Sequence, residues 1–361
     1  MRPRSGRAPD GRDARADRDR RASAATRDGV EGVRTESVPF EKTVAVVGAG
    51  RLGTALARAL VSSGYHVSAV VSRRRRRARD AARLIQTNPR ALSADELELL
   101  PSTHLLLVTT PDDALAATAA DLASALDTER RRRVALHASG AHSSELLTPL
   151  RARGFRLGSM HPLVSISDPR DGAEAFRGGF FCVEGERAAA SVARRIVRAL
   201  GGHAFSIETR DKALYHAAAV MTSGHTVALF DAALTALTRC GLTPRQARAA
   251  LVPLLRSTVE NLSTRTPERA LTGSYARADA ATIGKHLAAL ADPTLDRRGV
   301  TRVYTILGEQ SVKLAARAGV SRTRLREVER ALRDASDADA PPAHAAPEVD
   351  SSVSAAALDD E

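Results

Sequence analysis

The fold of this chain is decided by one stretch, TVAVVGAGRLG at residues 43–53. Its β-branched apolar run predicts a strand, and the G-x-G-x-x-G string with the Ala-rich segment after it predicts a tight turn and a helix. Gly48 permits the turn, Gly50 leaves the backbone open to a pyrophosphate, and Gly53 lets the helix pack on the strand. The N–H groups at the helix start would then face the phosphates. We predict a dinucleotide-binding turn, with a purely structural α/β turn as the alternative.

The end of the second predicted strand indicates which dinucleotide to expect. Residues 66–71 form another apolar run, and Ser72 and five arginines, residues 73–77, follow it. An enzyme that prefers NAD usually places Asp or Glu there, on the ribose 2′-hydroxyl. A hydroxyl with guanidinium groups suits a 2′-phosphate instead. We therefore expect NADP(H) rather than NAD(H), and we interpret Arg75 to Arg77 as a solvated helix face.

Other strand ends complete the predicted cofactor site. The apolar run at residues 104–109 is typical of a strand buried on both faces. Ligands of an open α/β sheet lie at the carboxyl ends of its strands, so the residues that follow this run should line the cleft. The predicted cofactor-binding residues are Gly48, Gly50, Arg51, Leu52, Gly53, Ser72, Arg73, Thr109, Thr110 and Pro111.

The composition favours a cytoplasmic α/β protein and argues against several other classes. The formal charge is +12, but basic stripes with interleaved aromatic residues are missing, so we expect no nucleic-acid partner. No apolar run reaches the length of a membrane helix or forms a signal-peptide core. The two cysteines lack metal-ligand spacing and suit a reducing compartment. We expect no metal site and no membrane association.

Four segments are predicted along the chain. Residues 1–40 are an Arg-rich arm that is too polar to fold, and residues 335–361 are a disordered acidic tail. Strand and helix patterns alternate through residues 41–208, which predicts an α/β, Rossmann-type doubly wound sheet that binds NADP. Strand patterns then stop, so residues 209–334 are expected to form an all-helical domain for substrate binding and dimerisation.

The predicted helical domain carries clear start and stop signals. Gly241 suits a helix C-terminus, and Thr243-Pro244 suits the start of the next helix. Asp279 suits an N-cap. The expected helices span about residues 210–239, 244–262, 279–290, 301–318 and 321–334.

Several motifs together resemble a known family. In chain order they are VVGAGRLG from Val46, His137-Ala-Ser-Gly140, His161-Pro-Leu163, Leu214-Tyr-His-Ala-Ala-Ala219 and Gly273-Ser-Tyr-Ala-Arg-Ala-Asp279. They resemble the Rossmann-like proteins that carry the domain of unknown function 2520, over about residues 43–320. That family is similar in architecture to pyrroline-5-carboxylate reductase, ketopantoate reductase and 6-phosphogluconate dehydrogenase. The resemblance implies a C-terminal domain of the 6-phosphogluconate dehydrogenase kind, which contacts substrate and often forms the dimer interface.

The chain departs from the family pattern at two places. Ser274 and Ala278 stand where family members commonly have Pro and Gly, and Ser223-Gly224 stands where they commonly have Ser-Asn. These changes alter positions in the motifs expected to bind substrate, and they leave the fold expectation intact. The segment from Met221 to Gly224 also resembles pyrroline-5-carboxylate reductase, which keeps imine reduction open.

Candidate chemistry rests on groups that can move one proton beside a nicotinamide. His161 ends a predicted strand, and His216 lies on the first long helix, so both are candidate catalytic residues. Lys212 is a third candidate because related dehydrogenases use a helical lysine as proton donor, although a surface position is favoured for it. One helix face carries Lys212, His216 and Ser223. The predicted substrate-binding residues are His137, Ser139, Tyr215, Ser223 and Arg277, with Arg277 as a carboxylate clamp.

These patterns predict a cytoplasmic NADP(H)-dependent oxidoreductase that transfers hydride to or from a small carbonyl or imine, with a carboxylate on the substrate. We expect a homodimer formed through the helical domain. One alternative is a protein that binds or senses NADP(H) without turnover. A weaker alternative is an imine reductase like pyrroline-5-carboxylate reductase.

Overall fold

The computed structural model describes residues 39–170, 172–296 and 299–338. The described residues from Phe40 to Ala338 belong to one compact unit, which contains both the predicted sheet and the predicted helical region. The predicted arm up to residue 38, and the predicted tail after Ala338, lie outside the described residues.

A single mixed sheet forms the first half of this unit. In the described ranges its strands are β1 Thr43–Val47, β2 His66–Ser72, β3 Arg90–Ser93, β4 Leu105–Val108, β5 Arg133–His137, β6 Phe155–Pro162, β7 Phe180–Gly185 and β8 His203–Phe205. Their order across the sheet is β3-β2-β1-β4-β5-β6-β7-β8. All neighbouring pairs are parallel except β6 and β7, which are antiparallel. The strand order reverses direction at β1 and β4, where an open α/β sheet has its ligand crevice.

Alternate residues of the central strands pack on opposite faces. Val44 and Val46 of β1 lie in the cluster that includes helix residues from 55 to 60. Their neighbours Ala45 and Val47 lie in the cluster that includes Leu115 and Leu122. Every residue of β4 is buried, so its apolar run is explained by burial on both faces, as the sequence predicts.

Helices cover the sheet and then make up the rest of the chain. Those of the sheet region are α1 Arg51–Ser62, α2 Arg75–Arg83, α3 Leu115–Ala125, α4 Gly172–Ala175 and α5 Arg187–Ala199. The helical region contains α6 Lys212–Thr222, α7 Gly224–Arg239, α8 Pro244–Thr264, α9 Pro267–Ala270, α10 Gly273–Ala276, α11 Ala280–Leu290, α12 Pro293–Asp296, α13 Val300–Arg317 and α14 Arg322–Ala338. Short 3-10 helices span Phe40–Lys42, Ala94–Leu99, Asp112–Ala114, Ser144–Arg153 and Thr209–Asp211.

The predicted helix signals of the second half are confirmed. The Thr243 hydroxyl accepts a hydrogen bond from Gln246 N, and the Gln246 side chain accepts from Thr243 N, which is a capping box with Pro244 in the first turn. Asp279 Oδ1 accepts from Thr282 N at 3.0 Å and begins α11. These contacts are local in sequence, which is why the residue pattern is enough to predict them.

Three details differ from the sequence prediction. The helix expected over residues 210–239 is interrupted at Ser223, whose backbone is at φ −106°, ψ −74°. Residues 165–178 show no strand or helix pattern in the sequence and so predict a loop, but they contain α4. The last helix continues to Ala338, so the tail predicted from residue 335 starts too early, because Ala335 still packs on the helical core.

The helical region leaves a large apolar surface uncovered. Leu214, Met221 and Val227 are 75%, 64% and 70% exposed, and Leu254 and Val259 of α8 are also exposed. In the described part of the chain, one helical segment, Thr209–Arg239, is long and apolar enough to cross a membrane by length and composition, which is weak evidence for such a role.

Candidate active site

The glycine turn between β1 and α1 is built by close backbone contact. Gly48 has φ +113°, and a Cβ there would lie 2.5 Å from the Thr109 carbonyl carbon. Thr109 N donates to Val47 O at 2.7 Å, and Thr109 Oγ1 donates to Gly48 O at 2.7 Å. A Cβ on Gly53 would overlap Gly48 O and Thr109 Oγ1. The ends of β1 and β4 therefore meet at this turn, and two of its glycines are required by space.

Gly50 faces open space and begins α1. Among the described residues, no atom lies within 4 Å of the position that a Cβ on Gly50 would take, and no side chain caps the helix. The N–H groups of the first turn are thus available to an anion, with the positive end of the helix dipole behind them. Arg51 is exposed, whereas Leu52 is half-buried and packs against the core.

Thr110 and Pro111 continue the same crevice from β4. Pro111 is exposed, and the buried Thr110 Oγ1 has no hydrogen-bond partner among the described residues. A buried hydroxyl that lacks a partner is costly unless a ligand or water supplies one. The open Gly50 turn and this free hydroxyl fit a dinucleotide laid across the end of the sheet.

Ser72 and Arg73 lie at the predicted position beside this crevice. Ser72 ends β2 and pairs with Ser93 of β3, and Arg73 is exposed. Arg75 Nη1 is held 2.6 Å from Glu96 Oε1, so Arg75 belongs to a surface ion pair. Arg75 to Arg77 are all exposed on α2, in agreement with the solvated helix face predicted for them.

His137 and Ser139 lie at the carboxyl end of β5, and their side chains accept hydrogen bonds from the backbone of the loop that follows this strand. The buried His137 Nδ1 accepts from Ser139 N at 3.1 Å. Ser139 Oγ accepts from the N–H groups of Ala141 and His142, both at 3.2 Å. Burial, and then the charge of Lys212, lower the pKa of His137 to about 4. These contacts give both residues a packing role, and substrate binding by them stays a prediction.

The following Gly140 brings two predicted catalytic histidines together. His161 Nε2 lies 2.8 Å from the position of a Cβ on Gly140, and His216 Nδ1 lies still closer to it. The two rings are 5.4 Å apart and nearly perpendicular. Any side chain at Gly140 would overlap both rings, so this glycine is required for their approach. Sequence reasoning quoted Gly140 in a motif without assigning it this role.

His161 is held from its other side by Tyr215 of α6. His161 Nδ1 and Tyr215 Oη are 2.7 Å apart, and the Tyr215 ring also packs edge-on against Phe205. Burial lowers the pKa of His161 to about 4, aided by the nearby His216 and Lys212. Burial raises the pKa of the Tyr215 hydroxyl. At neutral pH both side chains are therefore uncharged.

Lys212 lies beneath this cluster, and the surface position favoured for it from sequence is wrong. Its side chain is 1% exposed, its Nζ donates to Ser159 Oγ at 2.7 Å, and Glu184 Oε2 is 3.6 Å away. Glu184 also accepts from Ser144 Oγ at 2.7 Å. Burial lowers the pKa of Lys212, and Glu184 opposes that shift. The ammonium is thus enclosed by β6 and β7 and ties α6 to the sheet.

Sequence reasoning missed Ser159, Glu184 and Ser144. The signal available was an acidic residue, Glu184, at the end of the apolar run from Phe180 to Val183. Such a carboxylate needs a buried partner, but the sequence does not show that Lys212 supplies it.

Ser223 and Arg277 are not brought into this cluster. Ser223 is exposed at the break between α6 and α7. Arg277 is exposed at the end of α10, next to the core of the helical region that contains Ala278 and Ile283. Across the ranges that the structure covers, no hydrogen bond or ion pair joins either side chain to His161 or His216. Their predicted substrate contacts stay predictions.

Metal ligands do not cluster in the described residues: no group of three or more His, Cys, Asp or Glu side chains could hold an ion. Cys182 is buried and Cys240 is exposed, and both are free thiols.

Two family models match the chain in succession. Residues 31–162 match the Rossmann-like domain, and residues 179–311 match the domain of unknown function DUF2520. The chain is a Rossmann-like protein with a DUF2520 domain. The family resemblance predicted from the motifs is thereby confirmed, as is the predicted fold class. The DUF2520 model begins next to β7 and ends within α13, so it covers Glu184, α6 and the Gly273–Asp279 motif.

Solved structures with this fold include a protein of Bacteroides fragilis that is named as a candidate NADP oxidoreductase. It is 23% identical, with 76% of this chain and 99% of that chain covered and a TM-score of 0.62. A Thermotoga maritima protein is 22% identical, with 76% of this chain and 99% of that chain covered and a TM-score of 0.58. An imine reductase from Myxococcus stipitatus in complex with NADP+ is 19% identical, with 75% of this chain and 94% of that chain covered and a TM-score of 0.51. At these identities the likeness shows the shared fold. None of the curated proteins matches the chain in sequence.

Proposed function

We propose that this protein is an NADP(H)-dependent oxidoreductase that transfers hydride to or from a small carbonyl or imine substrate. The observation that carries the proposal is a shared location. The open glycine turn after β1 and the adjacent rings of His161 and His216 lie at the carboxyl end of the parallel strands of the sheet. A hydride transfer needs a held dinucleotide and one group that handles a proton on the substrate oxygen or nitrogen.

The cofactor residues have separate tasks in this proposal. The N–H groups from Gly50 to Gly53 hold the diphosphate, because that end of α1 is uncapped and open. Ser72 and Arg73 hold a 2′-phosphate through charge-assisted hydrogen bonds. Thr110 Oγ1 donates to a polar atom of the ligand, which supplies the partner that it lacks. When bound, the nicotinamide supplies or accepts the hydride.

The histidines handle the proton and shape the substrate position. His161 and His216 flank Gly140, where the lack of a side chain leaves backbone exposed between two rings. Lys212 is less suited to this task than the sequence indicates, because Ser159 and Glu184 enclose its ammonium. The proposal that the substrate carries a carboxylate depends on Arg277 of the helical region, which is predicted to bind that group.

The proposal is tested by screening keto acids and imino acids for loss of NADPH absorbance, with binding of both dinucleotides measured by calorimetry. We expect turnover with at least one such compound, and we expect His161→Gln and His216→Gln to lose turnover while still binding NADPH. A protein that binds neither dinucleotide would contradict the proposal. Tight NADPH binding without turnover across the screen would favour the sensing alternative, and turnover restricted to cyclic imines would favour an imine reductase.

We also propose that the protein is a homodimer formed through the helical region. Large apolar side chains are exposed on three successive helices, α6, α7 and α8, and exposed apolar surface of this kind is typical of protein–protein contacts. Arg256 and Glu260 are also exposed on α8, and such charged residues suit a polar interface rim better than a lipid interior. A cytoplasmic location stays a prediction.

A further inference from the structure

The contact between Tyr215 and His161 has a length that suits one direction of donation. Oη and Nδ1 are 2.7 Å apart. Bonds donated by a hydroxyl to oxygen are typically about 2.7–2.8 Å long, whereas bonds donated by N–H to oxygen are typically about 2.9–3.0 Å. A phenol is also the stronger donor, and a bare imidazole nitrogen is the stronger acceptor. The geometry therefore favours donation from Tyr215 to His161.

The number of protons on the pair leads to the same assignment. Because both side chains are uncharged at neutral pH, the phenol carries one proton and the imidazole carries one. If Nδ1 held the imidazole proton and donated it to Tyr215, the phenol proton would need another acceptor. Among the described residues, His161 is the one hydrogen-bond partner of that hydroxyl. Donation by Tyr215 gives the phenol proton an acceptor and the Nδ1 lone pair a donor.

Donation to Nδ1 places the imidazole proton on Nε2. That nitrogen lies over Gly140, beside His216, at the end of β5 where a bound substrate would meet the cofactor edge. An imidazole that keeps its proton can still donate a hydrogen bond to a carbonyl oxygen or an imine nitrogen. We propose that Tyr215 is a positioning residue that holds His161 as the Nε2–H tautomer, so that His161 presents an N–H donor to the substrate. This inference rests on the proposed function for the identity of the acceptor, but the tautomer itself exists without substrate.

The chain offers a matched control pair. His286 Nδ1 and Tyr304 Oη are 2.8 Å apart in the helical region, with perpendicular rings, and form the same chemical contact outside the candidate site. Tyr304→Phe removes a phenol from a histidine in the same way as Tyr215→Phe. A general effect of losing a phenol hydroxyl would appear in both variants, whereas a specific effect on His161 should appear in Tyr215→Phe alone.

The test is long-range 1H–15N NMR of the histidine rings in the full-length protein without cofactor, near pH 7. Signals of His161 are assigned by their loss in His161→Gln. We expect a protonated Nε2 and a bare Nδ1 in the wild type and in Tyr304→Phe, and a mixture of tautomers in Tyr215→Phe. In turnover, Tyr215→Phe should lower kcat by about tenfold with a smaller change in KM, since one neutral hydrogen bond is lost.

A protonated Nδ1 in the wild type would overturn the inference, and so would an unchanged Nε2–H signal in folded Tyr215→Phe. If Tyr215→Phe does not fold, as judged by circular dichroism, the wild-type tautomer still decides. The expected tautomer in a protein that turns over no substrate would support the role of Tyr215 and count against the proposed function alone.

Discussion

Lys212 Nζ lies 2.7 Å from Ser159 Oγ, and this bond joins the first helix of the helical region to the sixth strand of the sheet. The ammonium and the Glu184 carboxylate next to it are both nearly inaccessible, with side chains 1% and 9% exposed. Removal of one member leaves the other charge buried without its partner. The structure therefore makes Lys212 an anchor of α6, and through α6 a determinant of where Tyr215 and His216 lie.

We predict that Lys212→Met destabilises the protein by about 3–5 kcal/mol, because Glu184 is left as an unpaired buried charge. The double variant Lys212→Met, Glu184→Gln should recover part of that loss. Unfolding in urea provides the free energies, and Lys285→Met, at an exposed lysine of α11, is the control. A Lys212→Met variant within about 1 kcal/mol of the wild type would show that the pair contributes little.

Gly50→Ala and Gly53→Ala should separate cofactor binding from folding. A Cβ at Gly50 meets open space, whereas a Cβ at Gly53 overlaps the turn itself. We expect Gly50→Ala to keep its stability within about 0.5 kcal/mol and to bind NADPH at least about tenfold more weakly. Gly53→Ala should lose about 1–3 kcal/mol of stability. Unchanged NADPH affinity in Gly50→Ala, measured by calorimetry, would count against a diphosphate at this turn.

The choice between the two dinucleotides should depend on Ser72 and Arg73. The double variant Ser72→Asp, Arg73→Ser places a carboxylate where the 2′-phosphate is proposed and removes one guanidinium. The ratio of NADPH to NADH affinity should fall by at least about tenfold, since charge-assisted hydrogen bonds contribute about 1.5–3 kcal/mol each. Arg83→Ser, in the last turn of α2, is the control and should leave the ratio unchanged. A wild type that prefers NADH would remove the basis of the assignment.

Acid should destabilise the fold through His137. Its pKa is about 4 in the folded chain because it is buried, against 6.5 for an exposed imidazole. Between these values the unfolded chain binds a proton that the folded chain does not, so stability falls as the pH drops from about 6.5 to about 4. The full effect is about 3 kcal/mol.

We therefore expect His137→Gln to show a shallower loss of stability over that pH range than the wild type. Urea unfolding at pH 7, 5.5 and 4.5 measures the difference, and the exposed His225→Gln is the control. Parallel stability curves for the wild type and His137→Gln would contradict this assignment.

The proposed dimer should depend on the exposed apolar face. Met221→Glu with Val227→Glu places two charges on it, and we expect sedimentation equilibrium to show a shift from dimer to monomer. Leu99→Glu is the matched control, since Leu99 is 45% exposed on the sheet region. A wild type that sediments as a monomer at micromolar concentration would contradict the proposal.

Much of the fold follows from patterns that are local in sequence. The apolar run before Gly48, the spacing of the glycines and the Thr243-Pro244 start signal each depend on neighbours within a few residues, and each predicts its element correctly. The alternation of strands and helices also predicts the Rossmann-like sheet, because parallel strands need crossover connections. The antiparallel direction of β7 was not predicted, since strand direction depends on how the chain returns to the sheet.

The sequence by itself thus determined the elements, the glycine turn and the family, because hydrophobic periodicity and backbone requirements are carried by adjacent residues. Only the tertiary structure decided what the polar side chains do. Tyr215 meets His161 across 54 positions, and Lys212 meets Ser159 across 53. Burial and partners at such separations arise from packing between a helix and a sheet. Local composition, which suggested a surface lysine and isolated histidines, carries no record of that packing.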